Sequence, residues 1–351
     1  MIAFPQLPTT SACPSSAAAI SPISPAVGPA ACRYRSSGPS RRPRSPVGSL
    51  LVGLIVGLQS LANPLPVATA ADAMSGFAVE VDRGIVFDTP EQTELKCDVY
   101  TPITSGEASI GRPVVLLIHG GAWSSGSRHM MGGFALRLAR EGFVAIAIDY
   151  RLAPKWKFPA QLDDVRSAIR WVVSSHESLG VDPQKIGLFG YSAGGHLACL
   201  IGTLADEPAA VVNATSGWQV DDPRWVNMTT PLAVCAGGPP CDLTDLPAAV
   251  GGLGFFLGGS FEQIPEVYAS ASPLTHASSG DVPTLFIHGL KDSIVPVEGS
   301  RSLYRQHREL GVNSEFISFE NQGHLLTFLN PRTADSMVDF FRRLLDHPDR
   351  R

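Results

Sequence analysis

Gly190-Tyr191-Ser192-Ala193-Gly194-Gly195 stands between the apolar run Ile186-Gly187-Leu188-Phe189 and a segment in which Leu197, Ala198, Leu200, Ile201 and Leu204 recur at helical spacing. The run reads as a buried strand and the segment as a helix, so the local order is strand, tight turn, helix. A serine with glycine two residues away on either side is what a nucleophile elbow requires. The turn strains the serine backbone, and a side chain at Gly190 or Gly194 would collide with neighbouring main chain. Such a turn lifts the Ser192 hydroxyl clear of the sheet and leaves backbone N–H groups at the helix start facing it.

Short apolar runs flank this stretch on both sides. Upstream lie Pro113-Val114-Val115-Leu116-Leu117-Ile118 and Phe143-Val144-Ala145-Ile146-Ala147-Ile148, and downstream Leu232-Ala233-Val234-Cys235, Thr284-Leu285-Phe286-Ile287 and Glu315-Phe316-Ile317-Ser318-Phe319. Strands apolar on both faces belong in a covered parallel sheet. Between them fall helical patterns: Ser127 to Glu141 closing at Gly142, a helix opened by Pro159 with Leu162, Val165, Ile169 and Val172 on one face, Val297 to Leu310 closing at Gly311, and a last helix presenting Met337, Phe340, Phe341 and Leu344. Alternating strands and helices predict a doubly wound, mostly parallel α/β sheet. Two alternating runs, Ala78-Val79-Glu80-Val81 and Leu95 to Tyr100, flank Thr89-Pro90 and predict an antiparallel pair at its start.

The chain has 351 residues, 44% of them hydrophobic, with 34 glycines, 29 prolines and a formal charge of -5. That balance argues against nucleic acid as a partner. The charge is uneven: residues 1–70 hold Arg33, Arg35, Arg41, Arg42 and Arg44 and no lysine, aspartate or glutamate, so the remainder carries -10. A basic stretch, an apolar run from Val47 to Leu61 and Ala68-Thr69-Ala70 predict an export signal cleaved near Ala70. The run is shorter than the roughly 20 residues that span a bilayer, so no stable membrane insertion is expected after cleavage, an uncleaved anchor being the alternative. One catalytic domain is then expected over 73–351, exported to the periplasm or the medium. Oligomeric state is not legible.

Of six cysteines, Cys97, Cys199, Cys235 and Cys241 lie beyond the leader. Cys235 and Cys241 flank the turn-forming Ala-Gly-Gly-Pro-Pro, and an oxidising compartment would permit a disulfide between them. Neither the cysteines nor the histidines have metal-ligand spacing, so no metal is expected.

The chemistry needs more than a serine. His119-Gly120-Gly121-Ala122-Trp123 leaves a strand upstream, and a glycine-rich loop there can aim N–H groups at a developing oxyanion. Gly121 and Ala122 are the favoured donors, with Gly120 the alternative and the Ala193 N–H completing the hole. His324, just past the last strand, is the candidate base, since imidazole with an ordinary pKa of about 6.5 can take and return a proton. Asp292, in the loop after another buried strand, is the candidate orienting acid, with Glu320 in reserve. Asp149 and Asp164 precede the nucleophile and read as structural, while His119 and His196 read as braces for loop and helix. Asn213-Ala214-Thr215 and Asn227-Met228-Thr229 fit the glycosylation pattern.

The order Ser, Asp, His is that of α/β-hydrolases. His119 to Trp123, Asp149-Tyr150-Arg151-Leu152-Ala153-Pro154, Phe158-Pro159-Ala160-Gln161-Leu162-Asp163-Asp164-Val165, Gly190 to Gly195 and the Asp292 loop together resemble the carboxylesterase branch related to hormone-sensitive lipase and to bacterial feruloyl and acetyl esterases. The resemblance covers nearly everything after residue 75. It implies a cofactor-free serine esterase on small-molecule or carbohydrate-linked esters, with Ser192 as nucleophile, Asp292 as acid and His324 as base. Ser270-Ala271-Ser272-Pro273-Leu274 resembles the feruloyl and acetyl esterase side. The lipase-like pattern has a third glycine where this chain has Ala122, which leaves the donor pair open. Residues 73–112 are spent on strands, which argues against a helical N-terminal cap, and Val211 to Pro231, with Trp218 and Trp225, is elaborate enough to border an acyl or alcohol pocket, with packing the favoured role for each tryptophan. An amidase or peptidase on the same fold, such as a formamidase, is the alternative activity. A binding protein on this fold is disfavoured because no triad member is missing.

Overall fold

In the computed structural model the described residues are 76–104, 111–226, 228–246 and 252–346. The expected leader, its cleavage site near Ala70, the start of the expected domain at Ala73 and the glycosylation asparagine Asn227 lie outside them.

Eight strands form one sheet in the order β1-β2-β4-β3-β5-β6-β7-β8. They are β1 (Ala78–Asp88), β2 (Leu95–Ile103), β3 (Arg112–Ile118), β4 (Val144–Ile148), β5 (Val181–Tyr191), β6 (Ala233–Gly237), β7 (Thr284–Gly289) and β8 (Ser314–Phe319). β1 runs antiparallel to β2, and β2 antiparallel to β4, while every other neighbouring pair is parallel. The helices are α1 (Gly132–Arg140), α2 (Ala160–Ser174), α3 (His176–Leu179), α4 (Ala193–Thr203), α5 (Ala209–Ala214), α6 (Leu253–Leu257), α7 (Pro265–Ser270), α8 (Val297–Glu309), α9 (His324–Leu329) and α10 (Pro331–Phe341). The helical segment expected from Ser127 opens instead as a 3-10 turn over Arg128–Met131. There Arg128 donates from its backbone and its guanidinium to Asp149, and from Nε to Asp98, which holds the turn to the sheet.

The strand interiors are apolar on both faces because both are covered. Val114, Leu116 and Ile118 of β3 join a core with Leu162, Val165 and Ile169 of α2 and Leu197 and Leu200 of α4. Val115 and Leu117, pointing the other way, join Phe134 and Leu138 of α1 and Met337, Phe340 and Phe341 of α10. This two-residue alternation with a helical layer on each side is what a doubly wound sheet demands. Each buried leucine or isoleucine on these faces contributes roughly 2 kcal/mol of apolar burial.

The expected Cys235–Cys241 disulfide is not formed in the structure. Both are free thiols, Cys235 packed on the α1/α10 side and Cys241 on the α2/α4 side. β6 ends at Gly237, between them, and the two sulfurs sit in different core clusters. Burial pushes the Cys235 thiol well above its ordinary pKa, which leaves it unreactive.

Parallel register does the positioning. Ile118 pairs with Gly190, Tyr191 with Gly237, Gly237 with Ile287 and Gly289 with Phe319. The segments leaving β3, β5, β6, β7 and β8 therefore emerge along one edge, where sheets of this kind gather ligands. Among the described residues no helix is long and apolar enough to cross a membrane. The arrangement is the α/β-hydrolase fold.

Candidate active site

Ser192 lies at that edge between β5 and α4, with φ 56° and ψ -121°. A non-glycine residue with such angles is strained by about 1–3 kcal/mol and persists only where its surroundings hold it. Here they do: its N–H donates to Gly237 O at 2.7 Å, and its carbonyl accepts from His196 N at 2.9 Å. The flanking glycines are required by space. A Cβ on Gly190 would come within 2.1 Å of Gly194 O, and one on Gly194 within 2.1 Å of Ile118 O. Ser192 is half-buried.

The loop after β3 comes up beside it. A Cβ on Gly120 would stand 3.2 Å from Ser192 Cβ. Gly121, Ala122 and Trp123 all have positive φ (118°, 51° and 57°), which turns the loop back on itself. Ser125 Oγ and the amides of Ser124 and Ser125 close that turn on Gly121 O. Among the described residues, the amides of Gly121 and Ala122 donate to no protein acceptor. Two histidines hold the loop. His119 Nδ1–H donates to Gly120 O at 2.7 Å, and its ring stacks on Tyr150, whose hydroxyl donates to His119 O. Burial holds the His119 imidazole below its ordinary pKa. His196 Nδ1 accepts from Trp123 Nε1 at 3.2 Å, while its Nε2–H donates to Ala271 O at 2.7 Å, and burial pulls its pKa down to about 4. Trp123 also stacks on Phe256 of α6, with ring centroids 4.3 Å apart. The segment between β6 and β7 thereby packs on the loop after β3.

His324 opens α9, and its Nδ1–H donates to Asp292 Oδ2 at 2.6 Å. Its carbonyl accepts the Tyr191 hydroxyl at 2.5 Å, and the Tyr191 ring meets the imidazole edge-on. Gly238, with φ 53°, lies against the imidazole: a Cβ there would stand 3.0 Å from His324 Cε1. Ser192 and His324 thus border the same Gly237-Gly238 dipeptide, one hydrogen-bonded to Gly237 and the other seated on Gly238. With Nδ1 committed to Asp292, Nε2 is the free acceptor of the neutral ring.

The Asp292 side chain is almost wholly buried, 1% exposed. Oδ1 accepts from the amides of Ile294 and Val295 at 3.0 and 2.9 Å. Burial raises its pKa, but hydrogen bonds from His288, His324 and Val295 outweigh that and hold the carboxyl well below the usual carboxylate range. Glu320, the reserve acid, is exposed on the surface, while Asp292 is the carboxylate that meets His324. Asp149 pairs with Arg128 and Asp164 with Arg151. Trp218 and Trp225 pack edge-to-face on each other; Trp218 lines a cavity of about 390 Å³ with Arg151 and Lys157, and Trp225 one of about 160 Å³ with Arg166. Neither cavity is lined by Ser192 or His324.

Sequence reasoning missed Tyr191, His288, Gly238 and Phe256. Tyr191 sits inside the elbow motif and His288 four residues before Asp292, so position hinted at both. Nothing in the sequence pointed to Gly238 or Phe256, whose contacts are long-range.

Comparison with known proteins gives a consistent picture. The chain is 31% identical over 219 residues to Esterase LipC of Mycobacterium tuberculosis, covering 60% of this chain and 52% of that protein. It is 33% identical over 156 residues to arylacetamide deacetylase of Bos taurus, covering 43% and 38%. It spans about half the length, or less, of the curated relatives it matches. Among solved structures, a truncated carbohydrate esterase from gut microbiota superposes with a TM-score of 0.66 at 24% identity, covering 78% of this chain and 98% of that one. The Est2 esterase of Thermogutta terrifontis gives 0.60 at 26% identity, covering 77% and 92%. The BD-FAE family model matches residues 97–307, more than half of the chain, which therefore belongs to the BD-FAE family.

Proposed function

We propose that the chain is a serine carboxylesterase in which Ser192 is the nucleophile, His324 the base and Asp292 the orienting acid. The reading is carried by one observation: a serine strained to φ 56° and an imidazole pinned by a carboxylate at 2.6 Å border the same Gly237-Gly238 dipeptide. Ser192 Oγ attacks the ester carbonyl carbon as His324 Nε2 takes its proton. The negative oxygen of the tetrahedral intermediate is held by N–H groups of Gly121, Ala122 and Ala193, with Gly120 as the alternative donor. Collapse expels the alcohol, which receives the proton from His324, and water then releases the acid from the acyl-enzyme by the same steps. Asp292 stabilises the imidazolium and keeps Nδ1 protonated throughout.

Short acyl groups are the favoured substrates, since structures of the similar Thermogutta terrifontis esterase have been solved with propionate and with butyrate. Carbohydrate-linked acetyl or feruloyl esters are the larger candidates of the same chemistry. An amide substrate is the second reading, favoured by a relative named for deacetylating an arylacetamide. The leader composition supports export, with an uncleaved anchor as the alternative. Turnover of p-nitrophenyl acetate, butyrate and octanoate by wild type and Ser192→Ala, beside the matching anilides, tests the proposal. Ester turnover lost with Ser192 supports it, and turnover that persists in Ser192→Ala refutes it.

A further inference from the structure

We propose that His288, buried behind Asp292, is a positioning residue that keeps the carboxylate aimed at His324. The inference rests on the catalytic reading of Ser192, His324 and Asp292. His288 is wholly buried, and its Nε2 lies 3.0 Å from Val295 O and 3.3 Å from Asp292 Oδ2. Both oxygens can only accept, so Nε2 carries a hydrogen and shares it between them. Val295 is held at both ends: its N–H donates to Asp292 Oδ1 and its carbonyl accepts from His288. Asp292 Oδ2 in turn accepts from His288 on one side and His324 on the other.

The far side of the ring closes the arrangement. His288 Nδ1 lies 3.0 Å from Ser300 Oγ on α8, and Ser300 Oγ lies 2.8 Å from Pro239 O, so the single hydroxyl hydrogen is shared between Nδ1 and that carbonyl. Pro239 directly follows Gly237-Gly238, the dipeptide that holds Ser192 N–H and seats the His324 ring. A buried ring of contacts therefore runs from Asp292 through His288, Ser300 and Pro239 back to the segment beneath the nucleophile. His288 neither reaches the substrate nor transfers the proton; it fixes the direction of the carboxylate that does the orienting.

Two polar isosteres separate its two nitrogens. In His288→Gln the amide nitrogen falls where Nε2 was and keeps the donor to Asp292 and Val295. In His288→Asn it falls where Nδ1 was and keeps only Ser300. For p-nitrophenyl acetate hydrolysis, His288→Gln is expected to hold kcat within about threefold of wild type. His288→Asn is expected to lose roughly 10- to 100-fold in kcat with KM within about twofold, the scale of one lost hydrogen bond to a charged group. Fluorophosphonate labelling of Ser192 should slow in the same proportion, and melting curves establish that both variants are folded. Equal kcat in the two variants, or a loss confined to KM, overturns the proposal. Should the asparagine variant not fold, a kcat loss well beyond threefold in His288→Gln overturns it and retention supports it. Ser192→Ala keeps the two ideas apart: full activity in that variant sinks the catalytic reading itself, whereas an inactive Ser192→Ala beside an unaffected His288→Asn sinks only the role of His288.

Discussion

The hydroxyl of Tyr191 donates to the backbone carbonyl of His324 at 2.5 Å, so the residue before the proposed nucleophile is tied to the residue proposed as the base. The ring also lies edge-on to the imidazole at 5.2 Å, and burial together with the nearby Asp292 charge raises the phenol pKa, keeping it a neutral donor. Tyr191→Phe keeps the packing and removes the tie. It is expected to lower kcat about fivefold, the value of roughly 1 kcal/mol, with KM little changed. Steady-state kinetics on a p-nitrophenyl ester read this directly, and unchanged kcat would show that the hydrogen bond does not govern the base.

Asp292→Asn exchanges the acceptor of His324 Nδ1–H for an amide that can present N–H instead. The imidazole is then free to take the wrong tautomer. If Asp292 orients the base as proposed, a fall in kcat on the order of 10⁴-fold with the fold intact is expected. The corresponding change at exposed Glu320 should leave kcat within twofold.

Ala122 holds φ 51° in the loop after β3, a conformation that glycine adopts freely and β-branched residues resist. In Ala122→Gly the relief of strain is offset by the greater freedom of the unfolded chain, about 0.4–1 kcal/mol. Stability should stay within about 1 kcal/mol and activity should be retained. Ala122→Val is expected to cost about 1–3 kcal/mol and to lower kcat by misdirecting the loop amides. Chemical denaturation and kinetics on both variants test the contrast; equal behaviour would place the loop strain elsewhere.

His196 gives the protein an acid-side liability. Its folded pKa is pulled to about 4 by burial, below the ordinary histidine value, so between about 6.5 and 4 the unfolded chain binds a proton that the native chain refuses. Stability from this group is full above about pH 6.5, falls as pH drops toward 4, and levels off below that. The loss is on the order of a few kcal/mol. His196→Gln should flatten the melting temperature over that window relative to wild type, at the cost of a lower value at neutral pH because Trp123 or Ala271 loses part of its partner. A wild-type melting temperature constant from pH 7 to 4.5 would contradict this.

Local patterns carried much of the architecture. The runs at Pro113–Ile118, Phe143–Ile148 and Thr284–Ile287 are apolar at consecutive positions because both faces of their strands are covered, and that shows in any short window. The elbow was legible because its Gly-x-Ser-x-Gly spacing is local: a Cβ on Gly190 would meet Gly194 itself, whereas the exclusion at Gly194 comes from Ile118 and His119 and emerges only in the tertiary structure. The Cys235–Cys241 pairing failed for the opposite reason. Short separation along the chain says nothing about which side of a sheet a side chain faces, and here the two thiols fall on opposite sides.

What the amino-acid order determined by itself was the alternation of strand and helix, the strained serine turn and a set of residue types suited to acyl transfer. Tertiary structure alone decided which of them meet. Asp292 and His324 are 32 residues apart, and their contact exists because parallel register brings β7 and β8 to the same edge. The seating of His324 on Gly238, the Trp123–Phe256 stack and the burial of His288 behind the carboxylate likewise depend on segments far apart in the chain. Periodicity encodes which face of an element is buried, but the identity of the neighbour across that face is set by packing of the whole domain.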